Sequence, residues 1–297
     1  MTKCGFIALI GAPNAGKSTL LNALIGTKLA IVSPKVHTTR SRTLGILTEN
    51  DIQMIFVDTP GIFEPQRRLD RAMVSAAWTG AEDADVIVLL ADATRPRLSR
   101  DTHVIMTRLA QAGRKVILAL TKIDLVNRAQ LLPLAAQAND TGIVTDIFMI
   151  SSTKNDGLDD LKAHIASRLP EGPYLYPDDD LSDQPLRRIA AEITREQLYL
   201  QLNQELPYES TVETEQWEEF DNGSVKISQA IFVERDGQKK IVLGKGGAQI
   251  RNIGTKARIE METMMGRKVH LTLFVKVRGE WAEDSERYRE MGLEFDV

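Results

Sequence analysis

Residues 9–24 read LIGAPNAGKSTLLNAL, and Gly11-Ala12-Pro13-Asn14-Ala15-Gly16-Lys17-Ser18 within them fits G-x-x-x-x-G-K-[ST]. The apolar run FIALIG precedes the pattern and the helix-like STLLNALIG follows it. A phosphate loop needs that context. Glycines let backbone N–H groups curl around phosphate oxygens, and a helix N-terminus adds favourable partial charge. In this reading Gly11 to Thr19 line a nucleotide, Lys17 reaches its β and γ phosphates, and the Ser18 hydroxyl binds Mg²⁺.

Working outward, IQMIFVD, DVIVLLAD, KVILALT and DIFMIS are short, nearly continuous apolar runs, and helix-like stretches alternate with them. Strands buried on both faces of a parallel sheet have this character. The alternation predicts an α/β fold with a doubly wound, mostly parallel sheet. The second strand ends in Asp58-Thr59-Pro60-Gly61, which places Asp58 to hold Mg²⁺ through a water and the Gly61 N–H to sense a γ-phosphate. A later strand ends in Thr121-Lys122-Ile123-Asp124. A carboxylate at Asp124 takes both guanine N1–H and N2–H₂, a donor pair that adenine lacks, so the nucleotide is read as GTP or GDP. Ser151, Ser152 and Thr153, in the loop ISSTKNDG, offer backbone donors to guanine O6. These loops all follow carboxyl ends of strands, where open α/β sheets bind ligands. Their order resembles the small GTPase fold over residues 1 to about 170, with one departure: the base-reading motif begins with Thr121 where asparagine is usual.

The segment SPKVHTTRSRT (residues 33–43) occupies a switch position. A threonine here completes a Mg²⁺ shell when the γ-phosphate is present and releases after hydrolysis. Thr38 and Thr39 compete for the role, and families with a similar TTR favour Thr39. Ile62 follows Gly61 where Ras-like proteins carry a water-orienting glutamine, which predicts a slow intrinsic rate. In GTPases with a similar PNAGKS loop the asparagine holds a potassium ion, which makes Asn14 the candidate here. The catalytic set is therefore Asn14, Lys17, Thr39, Asp58 and Gly61, with Ser18, Thr39 and Asp58 as metal ligands.

Residues 170–185, PEGPYLYPDDDLSDQP, hold four prolines and an acidic run, the composition of a solvated linker. Beyond it the periodicity changes to an α-β-β-α-β order with a charged helix at the end. The expected division is a GTPase domain over 1–170, a linker over 171–185 and a smaller α+β domain over 186–297. Its centre is Gly244-Lys245-Gly246-Gly247. This second glycine loop lacks the spacing of a nucleotide site and has no companion acid for Mg²⁺. It suits a KH-type clamp, in which a G-x-x-G loop lets single-stranded RNA lie against the backbone. Lys239, Lys240, Lys245, Arg251, Lys256 and Arg258 concentrate positive charge around it, and Ile241, Val242, Ile250 and Ile253 are candidates for the base groove or the core.

GAPNAGKSTLLNALIG, VDTPGIF, GPYLYPDDDLSDQP, AEITREQLYLQLNQELPYES, VERDGQKKIVLGKGGAQIRNIGTKAR and LTLFVKVRGEW together resemble the Era family, bacterial GTPases of small-subunit assembly, over almost the whole chain. The resemblance implies a type II KH domain with QKKIVL as a short helix. It implies binding of the single-stranded 3′ end of 16S rRNA and action on the 30S subunit, as a monomer and without DNA. It also implies a cytoplasmic protein partly peripheral on the membrane face. An RNA-binding scaffold with a structural nucleotide and a GTPase of tRNA modification are the competing readings. Composition agrees with a globular intracellular protein: of 297 residues, 43% are hydrophobic, 26% are charged and one is cysteine, with a net charge of −4. A single Cys4 excludes an internal disulfide, and the four scattered histidines show no metal-ligand spacing. The N-terminal residues run straight into a motif and do not read as a cleavable signal.

Overall fold

A computed structural model describes residues 1–297 except 34, 36–38, 41, 203–205, 207–209, 280–284, 286, 287, 289–292 and 297. The chain divides into two compact units. In the first, β1 (Lys3–Gly11), β3 (Ile52–Asp58), β4 (Val86–Asp92), β5 (Val116–Thr121) and β6 (Val144–Met149) run parallel, and β2 (Thr43–Glu49) pairs antiparallel with β3. The sheet order is β2-β3-β1-β4-β5-β6. Helices α1 (Lys17–Ile25), α2 (Arg68–Glu82), α3 (Arg100–Gln111), α4 (Leu131–Asn139) and α5 (Leu158–Arg168) alternate with the strands. Strand order reverses at β1, which lies between β3 and β4. Its carboxyl end therefore opens on the crevice where such sheets bind ligands.

The sequence reading contains the five parallel strands and lacks β2. TLGILTE is interrupted by Gly45, a weak strand former. The fold requires a glycine there, because a Cβ at Gly45 would lie 2.6 Å from Leu21 Cδ1 and 2.8 Å from Ile25 Cγ1 of α1. Close helix packing has overridden local propensity.

The second unit contains α6 (Leu186–Gln201), β7 (Ser210–Glu219), β8 (Val225–Val233), α7 (Asp236–Leu243), α8 (Ala248–Met265) and β9 (Val269–Val277). β7 and β8 form a hairpin, and β9 joins β8 in parallel. Leu198, Ile231, Val233, Val242 and Ile253 belong to its core. QKKIVL lies within α7, as the resemblance implies. The charged helix expected at the chain end falls mostly outside the described residues.

The observed units differ from a simple division at residues 170 and 185. Residues 30–33 and 35 group with the second unit. There the Val32 N–H donates to Glu196 Oε1 at 2.8 Å, and Lys35 Nζ donates to the Leu202 carbonyl. Residues 293–296 group with the first unit, where Arg68 lies over the Phe295 ring at 4.4 Å. Residues 171–183, expected as a solvated linker, also group with the first. The Gly172 N–H donates to the Thr2 carbonyl, the Ile46 N–H to the Leu181 carbonyl, and Ser182 Oγ to the Leu44 carbonyl. A segment rich in proline makes few backbone bonds of its own and covers an edge strand well. Asp178 and Asp179 remain exposed.

Gln53 on β3 is the main clasp of this segment. Its Oε1 accepts the N–H groups of Leu175 and Tyr176 at 2.9 and 3.1 Å, and its Nε2 donates to the Tyr176 carbonyl at 2.9 Å. The side chain is fully buried. Gln53→Ala strands three backbone groups, and the expected loss of stability is about 2–4 kcal/mol. A lowered urea midpoint, with faster proteolysis after Tyr174 or Tyr176, checks this. An unchanged midpoint contradicts it.

Candidate nucleotide site and nucleic-acid interface

The phosphate loop is built by close backbone approach. A Cβ at Gly11 would lie 2.6 Å from the Leu90 carbonyl oxygen on β4, so no side chain fits where β1 ends. Gly16, with φ 98°, turns the chain into α1, and the exposed Asn14 also takes a left-handed φ of 61°. Lys17 Nζ donates to the Gly11 and Ala12 carbonyls, each at 3.1 Å, which sets the ammonium across the loop. Burial pushes its pKa down to about 8, with the Asp58 charge opposing.

Three oxygens converge beside it. Asp58 Oδ2 accepts from Ser18 Oγ at 2.7 Å and from Thr39 Oγ1 at 3.3 Å, and the two hydroxyls are 2.8 Å apart. Asp58 is 0% exposed, and its Oδ1 has no hydrogen-bond partner among the described residues. Burial pushes this carboxyl up to about 6, while Lys17, Ser18 and Thr39 pull it down. Hard oxygen donors and an orphaned, buried carboxylate oxygen fit the demands of Mg²⁺. Thr39 is in place; Thr38 lies outside the described residues.

Thr59 and Gly61 brace the loop. Thr59 Oγ1 donates to the Leu9 carbonyl at 2.9 Å, and a Cβ at Gly61 would sit 3.0 Å from the backbone of Pro13. The Ile62 N–H donates to the Gly11 carbonyl at 3.1 Å. Its side chain is 3% exposed and belongs to the core. Ile62 is thus a packing residue as well as a departure from glutamine.

Thr121 explains the other departure. Its Oγ1 donates to the Ala15 carbonyl at 2.8 Å and lies 3.3 Å from the Ala91 carbonyl. A hydroxyl is enough to tie the end of β5 to the phosphate loop. Asp124 is oriented by Ser151, whose Oγ donates to Oδ1 at 2.6 Å, and Thr153 Oγ1 lies 3.5 Å from Oδ2. The sequence alone suggests a backbone role for Ser151 towards O6. Its N–H instead donates to the Asp156 carbonyl at 3.0 Å, and its side chain aims the carboxylate. Sequence reasoning missed Asp92, which binds Lys122 Nζ at 2.7 Å. An acid ending the apolar run VIVLLAD is its only local signal.

In the second unit Gly244 to Gly247 form a tight turn, closed by the Gly247 N–H to the Gly244 carbonyl at 3.1 Å, and α8 starts directly after it. Lys240, Lys245, Gly246, Arg251 and Lys256 are exposed, and Lys239 is half-buried. The Arg251 guanidinium reaches back to the loop, 3.1 Å from where a Cβ of Gly247 would stand. Arg258 is instead paired with Glu262 at 2.7 Å. Of the four groove candidates, Val242 and Ile253 are core, Ile250 packs against it, and Ile241 is 56% exposed. The start of α8, just after the loop, is tied to α6: Asn252 Nδ2 donates to Gln201 Oε1 at 2.7 Å, and Gln201 Nε2 to Gln197 Oε1 at 2.9 Å.

Phosphate loop, buried acid, base-reading carboxylate and glycine clamp define a P-loop GTPase joined to a KH domain. Residues 6–122 match the family described as 50S ribosome-binding GTPase, and residues 205–282 match the KH domain family. The GTPase Era of Afipia carboxidovorans is 58% identical over 294 residues, covering 99% of this chain and 95% of that protein. The GTPase Era of Bradyrhizobium diazoefficiens is 56% identical with the same coverage. This chain belongs to the Era family of GTPases. A single-residue variant of Aquifex aeolicus Era, bound to GDP and AlF4⁻, matches with TM-score 0.90 at 39% identity, covering both chains fully. An Era complex with MgGDPNP and nucleotides 1506–1542 of 16S ribosomal RNA matches with TM-score 0.91, also at 39% identity and full coverage. Among the described residues no helix is long and apolar enough to cross a membrane.

The buried acid has a consequence for stability. Its pKa is raised, so the nucleotide-free fold is penalised as pH rises above the ordinary value of 3.8, and fully so above about 6. Asp58→Asn removes that penalty but also takes the opposing charge from buried Lys17, so a smaller net stabilisation of about 1 kcal/mol is expected at pH 7. The melting temperature without nucleotide should rise by a few degrees, while the further rise on adding GDP with Mg²⁺ should shrink. A lower melting temperature for the nucleotide-free variant contradicts the sign.

Proposed function

We propose that this GTPase is a nucleotide-controlled RNA-binding switch that engages the single-stranded 3′ end of 16S rRNA and assists assembly of the 30S subunit in the cytoplasm. The observation that carries the reading is one chain holding a Ser18–Asp58–Thr39 cluster and an open Gly244–Gly247 clamp. The related complex with MgGDPNP and rRNA nucleotides supplies the ligand classes. Peripheral membrane association belongs to this reading by family resemblance alone.

The backbone N–H groups of Asn14 to Ser18 would surround the phosphates. Lys17 exchanges its two loop carbonyls for β and γ oxygens, so its bonds are replaced and not lost. Mg²⁺, when bound, neutralises charge developing on the phosphoryl oxygens. Ser18 and Thr39 would hold it directly, and Asp58 would hold it through a water. Thr39 needs the γ-phosphate to stay in place, which makes residues 30–39 the nucleotide-sensitive segment. Asp124, aimed by Ser151, accepts from guanine N1–H and N2–H₂. At the other loop, Lys245, Lys240 and Arg251 neutralise RNA phosphates while the exposed Ile241 meets bases.

The KH role is tested at Gly246. Its φ is 59°, and a Cβ there would meet nothing within 4 Å, so aspartate adds no clash and costs about 1–2 kcal/mol of backbone strain. Gly246→Asp should weaken binding of an rRNA 3′-end oligonucleotide by about tenfold or more and leave RNA-free hydrolysis unchanged. Equal RNA binding by the variant would remove the clamp from this account.

The switch itself is tested by RNA affinity in two nucleotide states. Affinity should be higher with a non-hydrolysable GTP analogue than with GDP, and identical values would refute the coupling. Catalysis in place of a glutamine falls to a potassium ion held by Asn14. Hydrolysis should be faster in K⁺ than in Na⁺, and equal rates would sink this step.

A further inference from the structure

We propose that Asp92, at the carboxyl end of β4, is a positioning residue for guanine binding, which fixes the Lys122 side chain where the base stacks. The inference rests on the guanine reading of the Thr121–Asp124 motif, takes the aliphatic stem of Lys122 as the surface on which the base lies, and adds the residue that aims it.

Asp92 stands opposite Thr121 in the β4–β5 register, so Lys122 begins one residue beyond its neighbour. Asp92 Oδ1 accepts from the Thr94 N–H at 2.9 Å and from Thr94 Oγ1 at 2.6 Å. Those two bonds set the carboxylate plane. The remaining oxygen, Oδ2, accepts from Lys122 Nζ at 2.7 Å. Lys122 itself adopts a left-handed φ of 61°, uncommon for a residue with a side chain. The three neighbouring side chains then part company. Thr121 reaches the phosphate loop through the Ala15 carbonyl, Asp124 meets Ser151, and Lys122 is drawn to Asp92.

A lysine has a flexible four-carbon stem, and an unpinned one loses that freedom when a ligand arrives. Here the freedom is already lost, so binding is preorganised. The stem offers an apolar strip, and the side chain stays about one-third exposed. Burial pushes the Asp92 pKa up, but bonds from Lys122 and Thr94 hold it below the ordinary carboxylate range, so the partner charge persists at neutral pH.

A purely local role for Asp92, closing the turn to Thr94, makes a different demand. Asparagine accepts from the Thr94 N–H as well as aspartate does. Turned towards Lys122, however, its amide sets donor against donor. Asp92→Asn therefore keeps the turn and breaks only the bond to Lys122.

The test is a double-mutant cycle on the full chain, read by equilibrium binding of a fluorescent GDP analogue. Asp92→Asn should weaken binding about tenfold, with KM for GTP raised and kcat unchanged. Lys122→Met should weaken it at least as much. The double variant should bind no more weakly than Lys122→Met alone. The ratio of GTP to ITP affinity should not move in Asp92→Asn, because Asp124 keeps its own bonds. Wild-type affinity in Asp92→Asn, or an equal loss in both backgrounds, overturns the inference. Unchanged affinity in Lys122→Met overturns the underlying reading of Lys122 instead. If Asp92→Asn does not fold, Asp92→Ser keeps an acceptor for Thr94 and is held to the same outcomes.

Discussion

The structure depends on one buried carboxylate. Asp58 ends β3 with no exposure, one oxygen bound by Ser18 and Thr39 and the other unpartnered among the described residues. A fold selected for stability alone would not keep such a group. Its neighbours make sense around it. Lys17 supplies the opposing charge, β1 and β3 pair in register so that Leu9 stands beside Asp58, and Gly11 carries the loop past Leu90 without a side chain. Strain and unmet bonding are concentrated where a phosphate and its metal would relieve them.

The two glycine loops apply one physical idea to different ligands. In both, glycine leaves backbone N–H groups free of a covering side chain. At Gly11 to Ser18 the approach is locked by β4, Thr121 and Pro13, which suits one nucleotide held in one pose. At Gly244 to Gly247 the first glycine is packed against Gln249, but the middle of the loop is open. Nothing would touch a Cβ at Gly246, and the charges beside it are exposed lysine and arginine. A strand of nucleic acid needs a surface it can enter from the side, and charge spread along it in place of a metal-centred pocket.

What was legible in the sequence is what chemistry confines to a few consecutive residues. The phosphate loop, the acid after β3 and the Thr121–Asp124 motif each compress a ligand's demands into a few neighbouring positions. Their placement follows once the apolar runs are read as parallel strands. Asp92 was not legible because its partner is thirty residues away and meets it only through strand pairing. β2 was not legible because Gly45 serves α1 and not the strand. Residues 171–183 look like free linker by composition, yet Gln53, far earlier in the chain, gives their backbone its bonds. Tertiary partners, not local propensity, decide these cases.

Residues 30–39 join the two functions through the chain itself. Residues 30–33 and 35 group with the second unit, with Val32 bonded to Glu196 on α6, while Thr39 groups with the first and meets Ser18 and Asp58. Helix α6 also supplies Gln201, whose bond to Asn252 sets the start of α8 after the glycine clamp. A nucleotide shifts RNA affinity only by the difference in its own affinity for two states of such an element. A short segment with Thr39 beside Ser18 and Asp58 at one end and helix-bound residues at the other is suited to carry that difference.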